Sequence, residues 1–271
     1  MRKIVHLSDI HFGTTNNAVV GRVIDKINEI EPDVVVVSGD LTQRAKSIEF
    51  RQAKAFLDRL PTPQIVVPGN HDVPLYNVFA RFFRRLDKFE KYITDDLTPT
   101  FIDDEIAIVG VNTARSLTIK GGRINKEQVR YIRSKMGGLS DGMLKIVVTH
   151  HPFDLPAGFD EDDIVGRAKM AMPLIADCGG EVFLAGHLHV SNIETTAKRY
   201  RLENGRMALV IQAGTATSAR VRGEAHSFNL IEFDRPRLRV ERLECTSVET
   251  GFVPAEHKLY EQGEKGWERS E

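Results

Sequence analysis

Five short polar clusters hold residue types that can do chemistry together: Asp9-Ile10-His11, Gly39-Asp40, Gly69-Asn70-His71-Asp72, His150-His151 and Gly186-His187-Leu188-His189. Asp, Asn and His supply oxygen and nitrogen ligands. That set suits Mn, Fe, Zn, Co or Ni better than calcium, and it includes no thiolate. The ligands outnumber what one ion needs, whereas two ions ~3.5–4 Å apart sharing one carboxylate would use them all. Asp9 and His11 are two residues apart, so in an extended segment their side chains point the same way, and His187 and His189 repeat the spacing. Gly39, Gly69 and Gly186 remove side chains beside these groups and let the backbone turn sharply. An isolated polar residue at a strand end is ordinarily a cap or a satisfied hydrogen-bonding group, and His6 and His226 are read that way. Gly-Asp alone says almost nothing, but Gly-Asn-His-Asp after an apolar run is highly specific.

The elements that must position these clusters are legible as apolar runs. Ile4–Leu7, Asp33–Val37, Ile65–Val67, Ile106–Val111, Ile146–Val148 and Val182–Leu184 read as buried strands. Ala18–Ile30 and Ser47–Leu60 show helical spacing, with Ser47 as a plausible N-cap. Alternating strands and helices imply a buried sheet with helices packed on it. Ligand residues of such sheets gather outside the carboxyl ends of the strands, where all five clusters fall. Later, Arg206–Gln212, Ser227–Phe233 and Leu238–Leu243 read as strands, and the first two are expected to join the preceding strand in a second, more antiparallel sheet. Residues 246–271 are polar with few anchors (Phe252, Tyr260, Trp267) and read as a surface-draped or mobile tail after one domain at 1–245.

Composition narrows the class. Lys plus Arg is 37 and Asp plus Glu 38, a net charge of −1, so bulk charge gives no reason to expect a nucleic-acid partner. Two separated cysteines, Cys178 and Cys245, make neither a disulfide framework nor a thiolate metal site and fit a reducing compartment. The opening apolar run is too short for a signal peptide, and no stretch approaches the ~20 apolar residues of a membrane span. The expectation is a soluble cytoplasmic protein.

The segments SDIHFG, VSGDLTQRA, VPGNHDVPL, THHP and AGHLHV resemble the calcineurin-like metallophosphoesterase family over about residues 2–230. The closer likeness is to its bacterial class III cyclic-nucleotide phosphodiesterase and glycerophosphodiesterase branch. The resemblance implies an α/β fold, a four-layer α-β-β-α sandwich of two facing mixed sheets flanked by helices. It implies that Asp9, His11 and His189 hold one metal ion, that Asn70, His150 and His187 hold a second, and that Asp40 bridges them. His71 matches the family's non-ligand catalytic histidine. His150 is preferred to His151 because the family's ligand is the first residue of His-x-Pro.

The expected reaction is hydrolysis of a small phosphodiester, a cyclic nucleotide or glycerophosphodiester. Two divalent or Fe/Mn-type ions lower the pKa of a shared water, hydroxide attacks in line, and His71 protonates the leaving alkoxide. No Asp follows Gly39-Asp40-Leu41-Thr42-Gln43-Arg44 to pair with His71, as it does in the protein-phosphatase branch. Asp72 or a backbone carbonyl is expected to orient that ring instead, which argues against a protein-phosphatase mode. Arg115 and His151 are candidates for substrate contact, although Arg115 reads equally well as a surface residue, and Gly214–Arg220 would shape the rim. Phe79, Phe82, Phe83, Leu86, Phe89 and Ile93 form an apolar stripe on a basic helix. Core packing is its favoured reading. A lipid-linked phosphodiesterase docking that helix on an anionic membrane surface is the alternative. A monoesterase, a nuclease and a non-catalytic scaffold rank lower, and a homo-oligomer is left open.

Overall fold

The computed structural model describes residues 1–75, 83–115, 121–156, 158–196, 199–200, 207–218 and 224–270. Its strands are β1 (Arg2–Leu7), β2 (Val34–Val37), β3 (Gln64–Val66), β4 (Thr100–Ile102), β5 (Ile106–Gly110), β6 (Leu144–Val148), β7 (Val182–Ala185), β8 (Asn192–Thr195), β9 (Leu209–Gln212), β10 (His226–Asp234), β11 (Arg237–Cys245), β12 (Val253–Gly263) and β13 (Gly266–Arg269). The helices are α1 (Asn17–Ile30), α2 (Ser47–Leu57), α3 (Asp87–Tyr92), α4 (Lys126–Met136) and α5 (Ala168–Ala176). The strands form two mixed sheets, one in the order β13-β12-β11-β10-β1-β2-β3 and the other β4-β5-β6-β7-β9-β8.

Period-2 alternation divides each central strand between two cores. On β2, Val34 and Val36 face the other sheet, where they join Ile106, Ile108, Ile146 and Val148. Val35 and Val37 face outward to Val23 and Ile27 of α1 and Phe50 of α2. On the second sheet, Val147 and Phe183 face outward to Ile132 of α4 and Met172 of α5. Both faces of both sheets are thus covered at their centres. That is why VVVV is buried throughout, and it produces the four layers α-β-β-α.

The central strands run parallel: β1 beside β2 beside β3, and β5 beside β6 beside β7 beside β9. Their carboxyl ends therefore emerge on one edge of each sheet. Helices return the chain between them. Asn16 caps α1 by accepting from Ala18 N at 3.1 Å. Asn125 and Gln128 form a reciprocal capping box on α4. At α2 the cap differs from expectation: Ser47 is the first helical residue, and the Glu49 carboxylate takes the backbone N–H groups of Arg44 (2.8 Å) and Lys46 (3.2 Å).

Three other expectations are corrected. β9 and β10 do not share a sheet. β9 pairs with β7 and β8 in the second sheet, while β10 pairs with β1 and β11 in the first. Residues 253–263 and 266–269, read as a mobile tail, are strands that extend the first sheet. Most side chains of β12 are exposed, so no apolar alternation announces it, yet Phe252, Tyr260 and Trp267 are buried. The helix expected over Phe79–Ile93 is not continuous. Residues 76–82 lie outside the described residues, the backbone at Leu86 (φ −116°, ψ 5°) leaves the helical region, and α3 begins at Asp87. Leu86 and Phe89 pack in the core, but Phe83 is 76% exposed. Among the described residues, no helix is long and apolar enough to cross a membrane.

Candidate metal centre

The five clusters follow β1, β2, β3, β6 and β7, and the structure brings them together. They do so through turns that the spacing did not foretell. Asp9 (φ 53°), His11 (54°), Asp40 (53°), His187 (74°) and His189 (60°) all adopt left-handed backbone. The extended Asp-x-His and His-x-His expected from sequence are therefore corrected. Asp and His enter this region more readily than most residues, but each such residue still costs on the order of 1–3 kcal/mol. Backbone hydrogen bonds between the loops hold the turns, including His11 N to Asp40 O (2.9 Å) and Phe12 N to Leu41 O (2.8 Å). The Asp72 carboxylate ties two loops by accepting from Thr42 N (2.9 Å), Leu41 N (3.2 Å) and Gly69 N (2.9 Å). Glycine is required where chains touch. A Cβ on Gly39, itself at φ +92°, would lie 2.7 Å from His150 Nδ1, and one on Gly69 would lie 2.1 Å from Asp40 Oδ1.

Two sets of ligand atoms result. Those of Asp9, His11 and His189 lie within 4.8 Å of one another. Asn70 Oδ1 sits 3.0 Å from His150 Nε2 and 3.1 Å from His187 Nδ1. Asp40 Oδ2 stands between the sets, 3.6 Å from His11 Nε2 and 3.4 Å from His150 Nε2. The remaining ring nitrogens are fixed from behind. His150 Nδ1 meets the Ser38 carbonyl at 2.8 Å, and His189 Nδ1 meets Thr215 Oγ1 at 2.7 Å. His187 Nε2 lies 3.8 Å from Asp163. Such outer partners set which nitrogen is offered to an ion.

The donor set fits metal ions. Asp9 Oδ1 and both ring nitrogens of His11 are buried and make no hydrogen bond. Each orphaned group costs roughly 1–3 kcal/mol, which a cation among them would offset. The charges argue the same way. Burial would raise the Asp40 carboxyl, but His150, His11 and His71 hold it well below the usual range. Burial likewise opposes ionisation of Asp9, and His189, His11 and His150 outweigh it. Burial would lower the His150 imidazolium, but Asp40 and Asp9 hold it up at about 9. A proton on the His150 imidazole thus occupies the place of positive charge.

His71 Nδ1 lies 2.9 Å from the Gln43 carbonyl, and the His71 backbone N–H donates to Asp40 Oδ1 at 2.8 Å. Of the two expected orienters, the backbone carbonyl is the one in place, since Asp72 is occupied by backbone N–H groups. With Nδ1–H donating to that carbonyl, Nε2 is left for chemistry. His151 is fully buried, 2.9 Å from Thr113 Oγ1, with its ring 4.6 Å from that of His187. Its ligand atom lies within 4.8 Å of those of His150 and His187, so it borders the second ligand set. Arg115 Nε and Nη2 donate to the Arg123 carbonyl at 3.1 and 2.9 Å, so this guanidinium braces a loop. His6, read as a satisfied polar group, is buried against Ser38 Oγ at 2.9 Å, and burial lowers its pKa to about 3. Sequence reasoning missed Asp163, Thr215 and Gln43. Thr215 stood inside a quoted loop and Gln43 beside Gly39-Asp40, whereas nothing marked Asp163 among its acidic neighbours.

The model of calcineurin-like phosphoesterases matches residues 2–191. A probable glycerophosphodiester phosphodiesterase GpdQ of Arcobacter nitrofigilis is 26% identical over 205 residues, covering 69% of this chain and 71% of the relative. The glycerophosphodiester phosphodiesterase GpdQ of Enterobacter lignolyticus is 34% identical over 172 residues, covering 56% and 58%. A dimetal phosphatase from Danio rerio shares the fold with a TM-score of 0.67 at 15% identity, covering 95% of this chain and 98% of that one.

Proposed function

The chain belongs to the calcineurin-like phosphoesterase family, and on that premise we propose that it is a two-metal hydrolase of small phosphodiesters, glycerophosphodiesters foremost. The observation that carries this reading is the place of Asp40. Its carboxylate stands between Asp9-His11-His189 on one side and Asn70-His150-His187 on the other, as a shared ligand must. Metal ions bound there would supply charge neutralisation to the phosphate and an acidified water.

The chain's own residues do the rest. Asp72 and the loop hydrogen bonds fix the ligand atoms before substrate arrives, so little reorganisation accompanies reaction. His71 is oriented by a neutral carbonyl and not by a carboxylate. Its Nε2 can hand a proton to the departing alkoxide oxygen, the step an unactivated glycerol or ribose needs most. The names of the two bacterial relatives favour a glycerophosphodiester substrate.

The test is a panel on Mn- or Co-reconstituted protein: glycerophosphocholine, cyclic AMP, bis(p-nitrophenyl) phosphate and p-nitrophenyl phosphate. The expected order of kcat/KM places glycerophosphocholine above cyclic AMP, and bis(p-nitrophenyl) phosphate above its monoester. Equal or better turnover of the monoester would assign a phosphomonoesterase.

A further inference from the structure

The cationic side chains of this chain are not spread evenly. Residues 44–51 and 83–92 together carry seven Lys and Arg against three Asp and Glu, in a chain whose net charge is −1. The two segments are folded onto each other. Phe50 of α2 packs against Phe89 and Tyr92 of α3, with ring centroids 6.5 and 6.3 Å apart. Lys88 Nζ crosses from α3 to the Ala45 carbonyl at 2.8 Å. Arg44, Lys46 and Arg51 are exposed on one side of this contact, and Arg84 and Lys91 are exposed on the other. One of the three acids, Glu49, is buried with its carboxylate on the backbone N–H groups of Arg44 and Lys46, so the outer surface is more basic than the count.

The same two segments hold apolar side chains in water. Among the described residues, Phe83 is the most exposed large apolar side chain at 76%, and Ile48, at 51%, is exceeded only by it and the terminal Met1. The helical stripe thus divides: Leu86 and Phe89 fill the core, while Phe83 faces out. A single exposed apolar residue is ordinary. These two differ in their company, because apolar side chains set among lysines and arginines are the composition of a surface that meets anionic lipid. The cations are drawn to negative headgroups, and the apolar groups gain burial at the acyl boundary. A polyanion such as RNA would satisfy the cations and leave Ile48 in water. The surface also borders the metal centre, since Gln43, one residue before Arg44, holds His71 Nδ1 through its carbonyl at 2.9 Å.

We propose that the face built by residues 44–51 and 83–92 docks the protein on the surface of an anionic lipid bilayer, with Phe83 and Ile48 entering the headgroup region. Docking is a property of this surface and does not depend on the chemistry of the metal centre.

The experiment sediments the full chain with vesicles of phosphatidylcholine containing phosphatidylglycerol, and with vesicles of phosphatidylcholine alone. The wild type should bind the first and not the second, less tightly as salt is raised. Absence of binding to the anionic vesicles would overturn the proposal. Arg84→Gln/Lys91→Gln changes two exposed side chains and should bind roughly thirtyfold more weakly. Arg130→Gln/Lys135→Gln removes the same charge from exposed positions on α4, in the opposite outer layer, and should bind as the wild type does. Equal losses in the two variants, with melting temperatures unchanged, would mean attraction by overall charge and would overturn the assignment of this face. In Phe83→Trp the emission should shift to the blue when the anionic vesicles are added, over a constant background from the fully buried Trp267. An unmoved spectrum would overturn the entry of Phe83 into the bilayer. Binding of polyuridylic acid with none of either vesicle would likewise refute a lipid partner. Hydrolysis of bis(p-nitrophenyl) phosphate in solution should be the same in all these proteins. Vesicle binding without hydrolysis of any diester would support the docking face and refute the phosphodiesterase reading.

Discussion

Gly69→Ala isolates how closely the metal loops are fitted. The new Cβ would lie 2.1 Å from Asp40 Oδ1 and 2.4 Å from Asp40 N, and real Cβ contacts essentially never fall below 3.0 Å. Asp40 must therefore withdraw by about 1 Å. It has little freedom to do so, because its backbone is left-handed at φ 53° and its carbonyl holds His11 N at 2.9 Å. Movement of Asp40 thus carries His11 with it and disturbs both ligand sets. Overpacking of this kind costs about 1–3 kcal/mol of stability. A 1 Å misplacement at a reacting centre costs on the order of 100-fold in rate. The variant should lose at least one metal equivalent on dialysis, lose roughly 100-fold in kcat/KM on bis(p-nitrophenyl) phosphate, and melt at lower temperature. Gly21→Ala on α1 is the control. A Cβ there meets nothing within 4 Å, and helix propensity favours it by about 0.5–1 kcal/mol. A Gly69→Ala protein with both metals and near-normal turnover would refute the assignment of Asp40 to the space between the ions.

Other outcomes follow from the same geometry. His71→Ala should keep both metals and lose ~10²–10⁴-fold in kcat on a glycerol leaving group, with a clearly smaller loss on p-nitrophenolate. Equal losses, metals retained, would mean that His71 is not the acid. Asp40→Ala should lose one or both ions and nearly all activity, and near-normal metal content would remove it as the shared ligand. His150, held at about 9, must shed its proton to accept a metal ion. Metal affinity should therefore climb with pH up to about 9, with protons released in calorimetry across buffers of different ionisation enthalpy. The same raised pKa gives the metal-free protein stability that is full below the unfolded value of 6.5 and lost as pH rises through about 9. Denaturant melts showing greater stability at pH 9.5 than at pH 7 would contradict that sign.

The parts of this molecule that were legible in sequence are those where one residue type serves one purpose. Asp9, His11, Asp40, Asn70, His71, His150, His187 and His189 follow apolar strands, and the structure gathers all of them. The alternation of strand and helix implied a buried sheet with helices packed on it, while the two facing sheets and the four layers came only with the family resemblance. What stayed hidden depends on partners distant in the chain. The left-handed turns at Asp9 and His187 are held by hydrogen bonds that cross loops, among them His187 N to Asp9 Oδ2 at 2.9 Å, 178 residues apart. β12 is fixed by backbone pairing with β11 while its side chains face solvent, so its composition resembles a tail. The apolar stripe around Phe83 obeys helical spacing, yet the chain breaks before Asp87 and leaves that ring exposed, because spacing does not reveal where tertiary packing ends a helix.

The most direct test of the central claim is a titration of Mn(II) into metal-free protein, with bis(p-nitrophenyl) phosphate hydrolysis and bound metal followed in the same samples. The account predicts that activity reaches its plateau only as the second equivalent binds, and that the diester outpaces p-nitrophenyl phosphate throughout. Full activity at one equivalent, with no second ion taken up, would contradict it.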